Sequence, residues 1–168
     1  MKKHIEILIF FSLLFHLQWL FGNLYEEILT PNSITATVEQ LNAYNDFPSI
    51  TEPYYYYIPL TQIGTLIVFY LAFFSDLPSK LRKPLRFSAA ASGLATALTV
   101  FIVTEYNMKM FFGDVTRFGE HVHQLYLEWA ILNGLRIILI GAAIFFLFGT
   151  YRNSLKGNLG ESKTSDSK

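Results

Sequence analysis

Long apolar stretches alternate with short polar segments along this chain. Four of the stretches have about the twenty residues that a helix needs to cross roughly 30 Å of hydrocarbon. Lipid cannot hydrogen-bond an exposed backbone, so each stretch predicts a helix. The pattern therefore predicts an all-α polytopic membrane protein, an antiparallel four-helix transmembrane bundle. Its predicted helices cover about 5–27, 57–75, 87–105 and 125–149.

The composition agrees with this class. Hydrophobic residues make up 52% of the 168 residues and charged residues 15%, and the mean hydropathy is +0.32. The formal net charge of zero argues against a nucleic-acid partner. The absence of cysteine from the sequence excludes disulfides, thiolate catalysis and cysteine-ligated zinc. The lipid bilayer is therefore the first expected partner.

The first apolar run could be a signal peptide, because Lys2 and Lys3 precede it. His16, Gln18 and Trp19 interrupt the run, however, and no small-residue cleavage site follows it. We therefore predict a retained helix.

Basic residues cluster on one side of the predicted membrane. They precede the first helix, occupy the turn between the second and third, and follow the fourth, whereas the loop 28–56 has no Lys or Arg. Because Lys and Arg are enriched in cytoplasmic loops, we predict a cell-membrane protein with both termini in the cytoplasm. The residues that set this orientation are Lys2, Lys3, Lys80, Arg82, Lys83, Arg86, Arg152 and Lys156.

Two segments outside the predicted helices carry expectations of their own. In the loop 28–56, the run "TATVEQLNAYN" is compatible with a short surface helix. Residues 151–168 are polar and rich in small side chains, so we predict a disordered cytoplasmic tail after a transmembrane domain over 1–150.

Polar residues recur at helical spacing on the predicted helices. Residues 3, 4, 7 or 11 apart share a helix face, and each predicted helix has such a set. The outer half of the bilayer holds most of these residues, as expected for a cavity that opens outward or for a hydrated helix end. The sets are His16, Trp19, Asn23, Glu27 and Thr30, with Glu26 at their edge; Gln62 and Thr65; Ser92, Thr96, Thr99, Val103 and Asn107; and Trp129, Asn133 and Arg136.

Arg136 is the most informative of these residues. It lies about 10 Å deeper than Trp129 at 1.5 Å per residue. A guanidinium at that depth costs about 2.5–3.5 kcal/mol on an insertion scale, so it should face the bundle interior and pair with a carboxylate. Glu26, Glu27 and Glu105 are within its reach. The pair is either a structural salt bridge or part of a substrate-binding or proton-handling site.

These residues define a candidate outward-facing pocket for a hydrophobic small molecule. The candidate catalytic residues are Glu26, Glu27, Asn133 and Arg136. The candidate substrate-binding residues are Asn23, Tyr25, Gln62, Asn107 and Trp129. In the alternative, the same polar residues only hold together a non-catalytic protein that binds a lipid or protein partner. A transporter with four helices would have to oligomerise, and an oligomer stays open.

The segment "FGEHVHQLYLEW" suggests a second type of site. Glu120 and His123 have the Glu-x-x-His spacing of di-iron bundles, although such bundles use two pairs. His121 and His123 could bind a transition metal together with a glutamate, or they could simply be exposed. We expect no cofactor, with a transition metal as the alternative. His16 we interpret as a hydrogen-bonded interior histidine.

Three stretches suggest a family: "GNLYEEILTPN", "PYYYYIPL" and "WAILNGLRIILIGAAIFFLF", the last containing Trp129-x3-Asn133-x2-Arg136. Together they resemble the anthrone-oxygenase-like family of small four-helix membrane proteins. The resemblance implies an integral membrane protein and an oxygenase of hydrophobic aromatic substrates that works without a bound flavin or haem.

Overall fold

The structure, a computed structural model, describes residues 3–29, 37–46 and 54–165, and these residues are helical apart from short turns. A π-helical turn, Val103–Asn107, continues the fourth α-helix, and a 3-10 helix, Val115–His121, precedes the last one. The α-helices are α1 Lys3–Leu29, α2 Val38–Asn45, α3 Tyr54–Phe73, α4 Ser79–Ile102, α5 Met108–Met110 and α6 Val122–Ser165.

Within the described residues, three helical segments are long and apolar enough to cross a membrane: Lys3–Ile28, Ser79–Met110 and Val122–Lys156. The apolar part of α3, Tyr57–Phe73, is shorter. In the packing, α1 contacts α3 and α6, and α4 contacts the same two helices. The described chain is thus all-helical and consistent with a multi-pass membrane protein, as the apolar pattern predicts. We call the end where α1 begins the inner end and the opposite end the outer end.

The inner half of the helix packing has an apolar core. Its buried residues come from α1, α3, α4 and α6 and from the turn between α3 and α4, and they interdigitate without charged side chains. The core consists of Ile9, Leu13, Val68, Leu71, Ala72, Leu77, Leu81, Leu85, Ala89 and Leu147.

The beginning of α4 differs from the prediction. The helix starts at Ser79, eight residues before the predicted start at 87, and includes the basic residues that were expected in a turn. Pro78 precedes the helix, where its fixed φ does no harm, and Arg82 Nη2 donates to Leu77 O at 2.9 Å. Pro84 lies only one and a half turns into the helix and does not break it.

The end of α6 also differs from the prediction. The helix continues to Ser165, through most of the segment 151–168 that the composition predicts to be disordered. The segment contains no proline, and each residue added to an existing helix gains a backbone hydrogen bond without a new nucleation cost.

The outer end is covered by α2, which confirms the short helix expected in the loop 28–56. A capping box begins the helix, since the Thr37 hydroxyl accepts from Gln40 N and the Gln40 side chain accepts from Thr37 N. Leu41 is fully buried, and Asn45 Nδ2 donates to Met110 O at 2.9 Å. The helix therefore packs onto the outer core, which contains Leu41, Ile102, Met110, Val115, Val122, Tyr126 and Trp129.

Candidate functional site

Five polar side chains meet near the outer end, between α1, α3 and α6. They come from the last turns of α1, from the first turn of α3 and from one face of α6. We call them the outer polar network: Glu26, Glu27, Tyr57, Asn133 and Arg136.

Arg136 lies inside the helix packing and forms the predicted ion pair. Its side chain is 3% exposed, and Nη2 lies 3.2 Å from Glu26 Oε2. Of the two other predicted partners, Glu27 contacts Asn133 instead, and Glu105 pairs with Lys109 on the exposed surface. Arg136 is buried between helices because a guanidinium at this depth can avoid lipid only by facing other helices.

Asn133 connects the guanidinium to the second carboxylate. Its Oδ1 accepts from Arg136 Nε at 3.1 Å and from Nη2 at 2.5 Å. Its Nδ2 donates to Glu27 Oε2 at 2.5 Å. A guanidinium only donates hydrogen bonds and a carboxylate only accepts them. The Asn133 amide therefore has one possible orientation, with Oδ1 toward Arg136 and Nδ2 toward Glu27. Asn133 is fully buried, and a residue that lacks either the donor or the acceptor would leave a charged group unsolvated.

Tyr57 is a member of the network that the sequence analysis did not identify. Its hydroxyl donates to Glu26 Oε1, and its ring lies against α1. A Cβ at Gly22 would lie 2.8 Å from Tyr57 Cδ1, so the absence of a side chain at this position admits the ring. The sequence did contain a signal: Tyr57 precedes Thr61 and Thr65 at i+4 and i+8, and all three are buried.

Trp129 extends the same face of α6 toward the outer end. It is 2% exposed, and its Nε1 donates to Asn107 Oδ1 at 2.8 Å. Asn107 is the last residue of the π-helical turn, a type of turn that is frequent at functional sites. The extra residue of a π turn rotates the following side chains, and Tyr106 in the same turn donates to Glu128 Oε2 at 3.1 Å. No periodicity in the sequence predicted this turn.

Asn23 lies one helical turn before the two glutamates on the same side of α1. It is fully buried, and its Nδ2 donates to Trp19 O at 2.8 Å. Because a carbonyl only accepts, this bond fixes the orientation of the amide. The other amide atom, Oδ1, is buried and has no hydrogen-bond partner in the described part of the chain. A buried acceptor without a donor costs free energy.

Two predicted substrate-binding residues lie outside this arrangement or at its edge. Tyr25 is 49% exposed, because the helical twist turns it away from the face that carries Asn23 and Glu27. The structure therefore does not bring Tyr25 into the outer polar network, and its role in substrate binding stays a prediction. Gln62 is half-buried next to the buried Thr61 on α3, and its role stays a prediction.

The histidine-rich segment gives no assembled metal site among the side chains that the structure describes. His121 and His123 are both exposed, near the start of α6. Within residues 3–29, 37–46 and 54–165, no three His, Asp or Glu side chains are close enough to hold a metal ion. The side chain of Glu120 and the whole of Thr30 lie outside the described residues. The metal site stays a prediction.

His16 is the interior histidine that the sequence predicts. It is fully buried, with Nδ1 2.8 Å from Ser12 O and Nε2 2.8 Å from Ser92 Oγ. The Ser12 carbonyl accepts only, so Nδ1 carries a proton. The Ser92 hydroxyl lies 2.8 Å from both Nε2 and Ser88 O, so these two acceptors share its single proton. Both ring nitrogens thus have partners.

The loop between the third and fourth long helices has one perturbed carboxyl. Asp114 precedes the 3-10 helix and accepts from the Thr116 hydroxyl, from Thr116 N at 3.1 Å and from Arg117 Nε at 3.3 Å. These contacts, the Thr116 hydroxyl first, lower the pKa of the Asp114 carboxyl below its ordinary value. Asp114 and Arg117 are thereby occupied with each other, away from the outer polar network.

Comparisons of the chain with family models, with curated proteins and with solved structures give no match. The geometry of the outer polar network is therefore the main basis for a functional proposal, and the anthrone-oxygenase-like resemblance stays a prediction.

Proposed function

We propose that this protein binds a hydrophobic small molecule in the membrane, with the polar part of that molecule against the outer polar network. The supporting observation is Arg136, which is 3% exposed between Glu26 and Asn133. A buried ion pair adds little to stability compared with apolar packing of the same volume. A polar cluster that contains a buried ion pair is better explained by a ligand that binds to the pair. Intramembrane ionisable residues are also functional candidates by default.

Oxygenation of a bound aromatic substrate, with molecular oxygen as the oxidant, is the activity that the resemblance favours. In that reaction Glu26 or Glu27 would accept a proton from a substrate hydroxyl. Arg136 and Asn133 would stabilise the negative charge that then develops on the substrate oxygen. Trp129, whose indole N–H donates to Asn107 Oδ1, would line the apolar side of the site. In the non-catalytic alternative, the same residues bind the molecule and release it unchanged.

Extraction of bound molecules tests the binding proposal. The protein and its Asn133→Leu variant are purified in the same non-ionic detergent, and the organic extracts are compared by mass spectrometry. We expect a lipophilic species that the variant loses. Glu105→Gln is the matched control, because Glu105 is an exposed carboxylate paired with Lys109. Identical extracts from all three proteins would contradict the proposal.

The proposal includes four membrane crossings with both termini in the cytoplasm. The cysteine-free sequence suits labelling with a membrane-impermeant maleimide in intact cells. Ala43→Cys on α2 should react, whereas Lys80→Cys and Lys156→Cys should not; all three positions are exposed. Labelling at Lys80→Cys and Lys156→Cys in addition to Ala43→Cys would show that α3 does not cross, whereas labelling at those two positions without Ala43→Cys would reverse the predicted orientation.

A further inference from the structure

The outer polar network contains more negative than positive charge. It has two carboxylates, Glu26 and Glu27, and one guanidinium, Arg136. The sequence offers no further cation from the loop 28–56, which lacks Lys and Arg. In the next outer segment, Lys109 lies 3.2 Å from Glu105 and Arg117 lies 3.3 Å from Asp114. With all three groups ionised, the network carries a formal charge of −1.

A second observation is a buried hydrogen-bond acceptor next to the network on α1. The Tyr57 hydroxyl is directed to Glu26, and the Asn133 amide N–H is directed to Glu27. The Trp129 N–H is directed to Asn107. One helical turn deeper, the buried Asn23 Oδ1 has no donor among the described residues. These observations are independent: the charge disfavours an anionic ligand, and the Asn23 oxygen indicates a missing donor.

We propose that the ligand head group is a hydrogen-bond donor without negative charge, such as a hydroxyl or an ammonium group. Such a group satisfies the Asn23 carbonyl oxygen and does not increase the negative charge of the network. A carboxylate or phosphodiester head group has no donor and would make the formal charge −2 in a region of low dielectric, where repulsion is strong. This inference rests on the proposed function and specifies the class of its ligand. The presence of Arg136 does not change it, because the two carboxylates outnumber the one guanidinium.

Four probes with the same alkyl chain test the inference: dodecanol, dodecylamine, dodecyl methyl ether and dodecanoate, at equal mole fraction in a non-ionic detergent at pH 8. The chain has two tryptophans, Trp19 and Trp129, so Trp19→Phe leaves Trp129 as the fluorescent reporter beside the network. We expect dodecanol and dodecylamine to bind about tenfold more tightly than the other two. Glu27→Gln removes one negative charge, so it should reduce the difference in dissociation constant between dodecanoate and dodecanol. Asn23→Leu removes the acceptor, so it should reduce the difference in dissociation constant between dodecanol and the ether.

Three other outcomes separate the inference from the proposed function. Tightest binding of dodecanoate would overturn the inference about charge. Equal binding of dodecanol and the ether would overturn the inference about donors. In both cases the proposed binding function stands, provided that Asn133→Leu abolishes the fluorescence response. A chain that responds to none of the probes, or responds unchanged in Asn133→Leu, would overturn the inference and the proposed function together.

Discussion

The inner and outer halves of the helix packing use polar side chains differently. In the inner half the buried polar side chains that the structure describes are Ser, Thr and His, and two serines link helices through backbone carbonyls: Ser12 Oγ donates to Gly64 O at 2.9 Å, and Ser88 Oγ donates to Ala143 O at 3.1 Å. In the outer half the polar side chains contact each other, and three of the five residues in the outer polar network are Glu or Arg. The apolar residues around the inner contacts form one continuous core.

The two kinds of polar contact suit different roles. A hydroxyl that donates to a carbonyl of a neighbouring helix joins two helices without burying a charge, so it suits a structural role. A charged group in the membrane costs free energy even when it is paired, and it gives little net stability in return. The inner half shows that this chain can pack helices without such groups. The outer half therefore holds its charges for another reason, which we take to be ligand binding.

The largest expected effect is the loss of the buried guanidinium. Arg136→Leu removes the partner of Glu26 and leaves that carboxylate, 21% exposed, without its ion pair. We expect about 3–5 kcal/mol of destabilisation for a fully buried pair, and the lower end here because water reaches Glu26. The measurement is reversible unfolding of the purified protein in mixed micelles.

A double-mutant cycle tests the identity of the partner in that pair. Glu26→Gln combined with Arg136→Leu should recover part of the lost free energy of unfolding, since neither unpaired charge remains. Glu105→Gln is the matched control, and its effect should add to that of Arg136→Leu. Strict additivity with Glu26→Gln would mean that the pair does not contribute to the folded state.

The second effect concerns apolar packing in the inner half. Leu85→Ala creates a cavity in a core where Leu85 is fully buried. Buried Leu→Ala changes cost about 2–5 kcal/mol, and we expect the lower end because lipid removes most of the transfer term and leaves the cavity term. Leu94→Ala on the same helix is the control, since Leu94 is 60% exposed and should lose little. Equal losses in the two variants would contradict the placement of this core.

The third effect tests the close approach of α1 and α3 in the inner half. A Cβ at Gly64 would lie 2.9 Å from Phe15 Cβ and 3.3 Å from His16 Nδ1. Phe15 Cβ is attached to the backbone, so the helices must separate, and overpacking of this kind costs about 1–3 kcal/mol. Gly141→Ala, with no atom within 4 Å of its new Cβ, should be neutral or stabilising. A neutral Gly64→Ala would mean that the two helices are further apart.

Much of this arrangement could be predicted from sequence, because the underlying signals are local and periodic. The apolar runs predicted the helices, and the spacing of Trp129, Asn133 and Arg136 predicted their shared face. The depth of Arg136 predicted a carboxylate partner. The choice among three glutamates could not be predicted, because it depends on the rotation of α1 relative to α6. The position of Tyr25 outside the outer polar network could not be predicted for the same reason, since adjacent residues on a helix turn by about 100°.

Other features depend on contacts that leave no pattern in a single sequence. The π-helical turn at Val103–Asn107 is stabilised by its surroundings, among them the bonds of Tyr106 and Asn107 to α6. Burial of Leu41 requires that α2 fold back onto the outer core, and a short polar helix does not indicate this by composition. The early start of α4 depends on Leu77 O, which lies outside the helix and accepts from Arg82.

The smallest expected effect is on the neutral hydrogen bonds of the inner half. Ser92→Ala removes the hydroxyl that lies 2.8 Å from His16 Nε2 and leaves the buried ring with one partner. Hydrogen bonds between membrane helices average about 0.6 kcal/mol and reach about 1.7 kcal/mol, so we expect a loss within that range. Thr104→Ala is the control, because the exposed Thr104 hydroxyl bonds only carbonyls of its own helix, and it should change the free energy of unfolding very little. The same micelle unfolding experiment measures both. A loss at Ser92 as large as that for Arg136→Leu would contradict the division between an inner half joined by weak hydrogen bonds and an outer half with a buried ion pair, since one inner hydrogen bond would then contribute as much free energy as the ion pair.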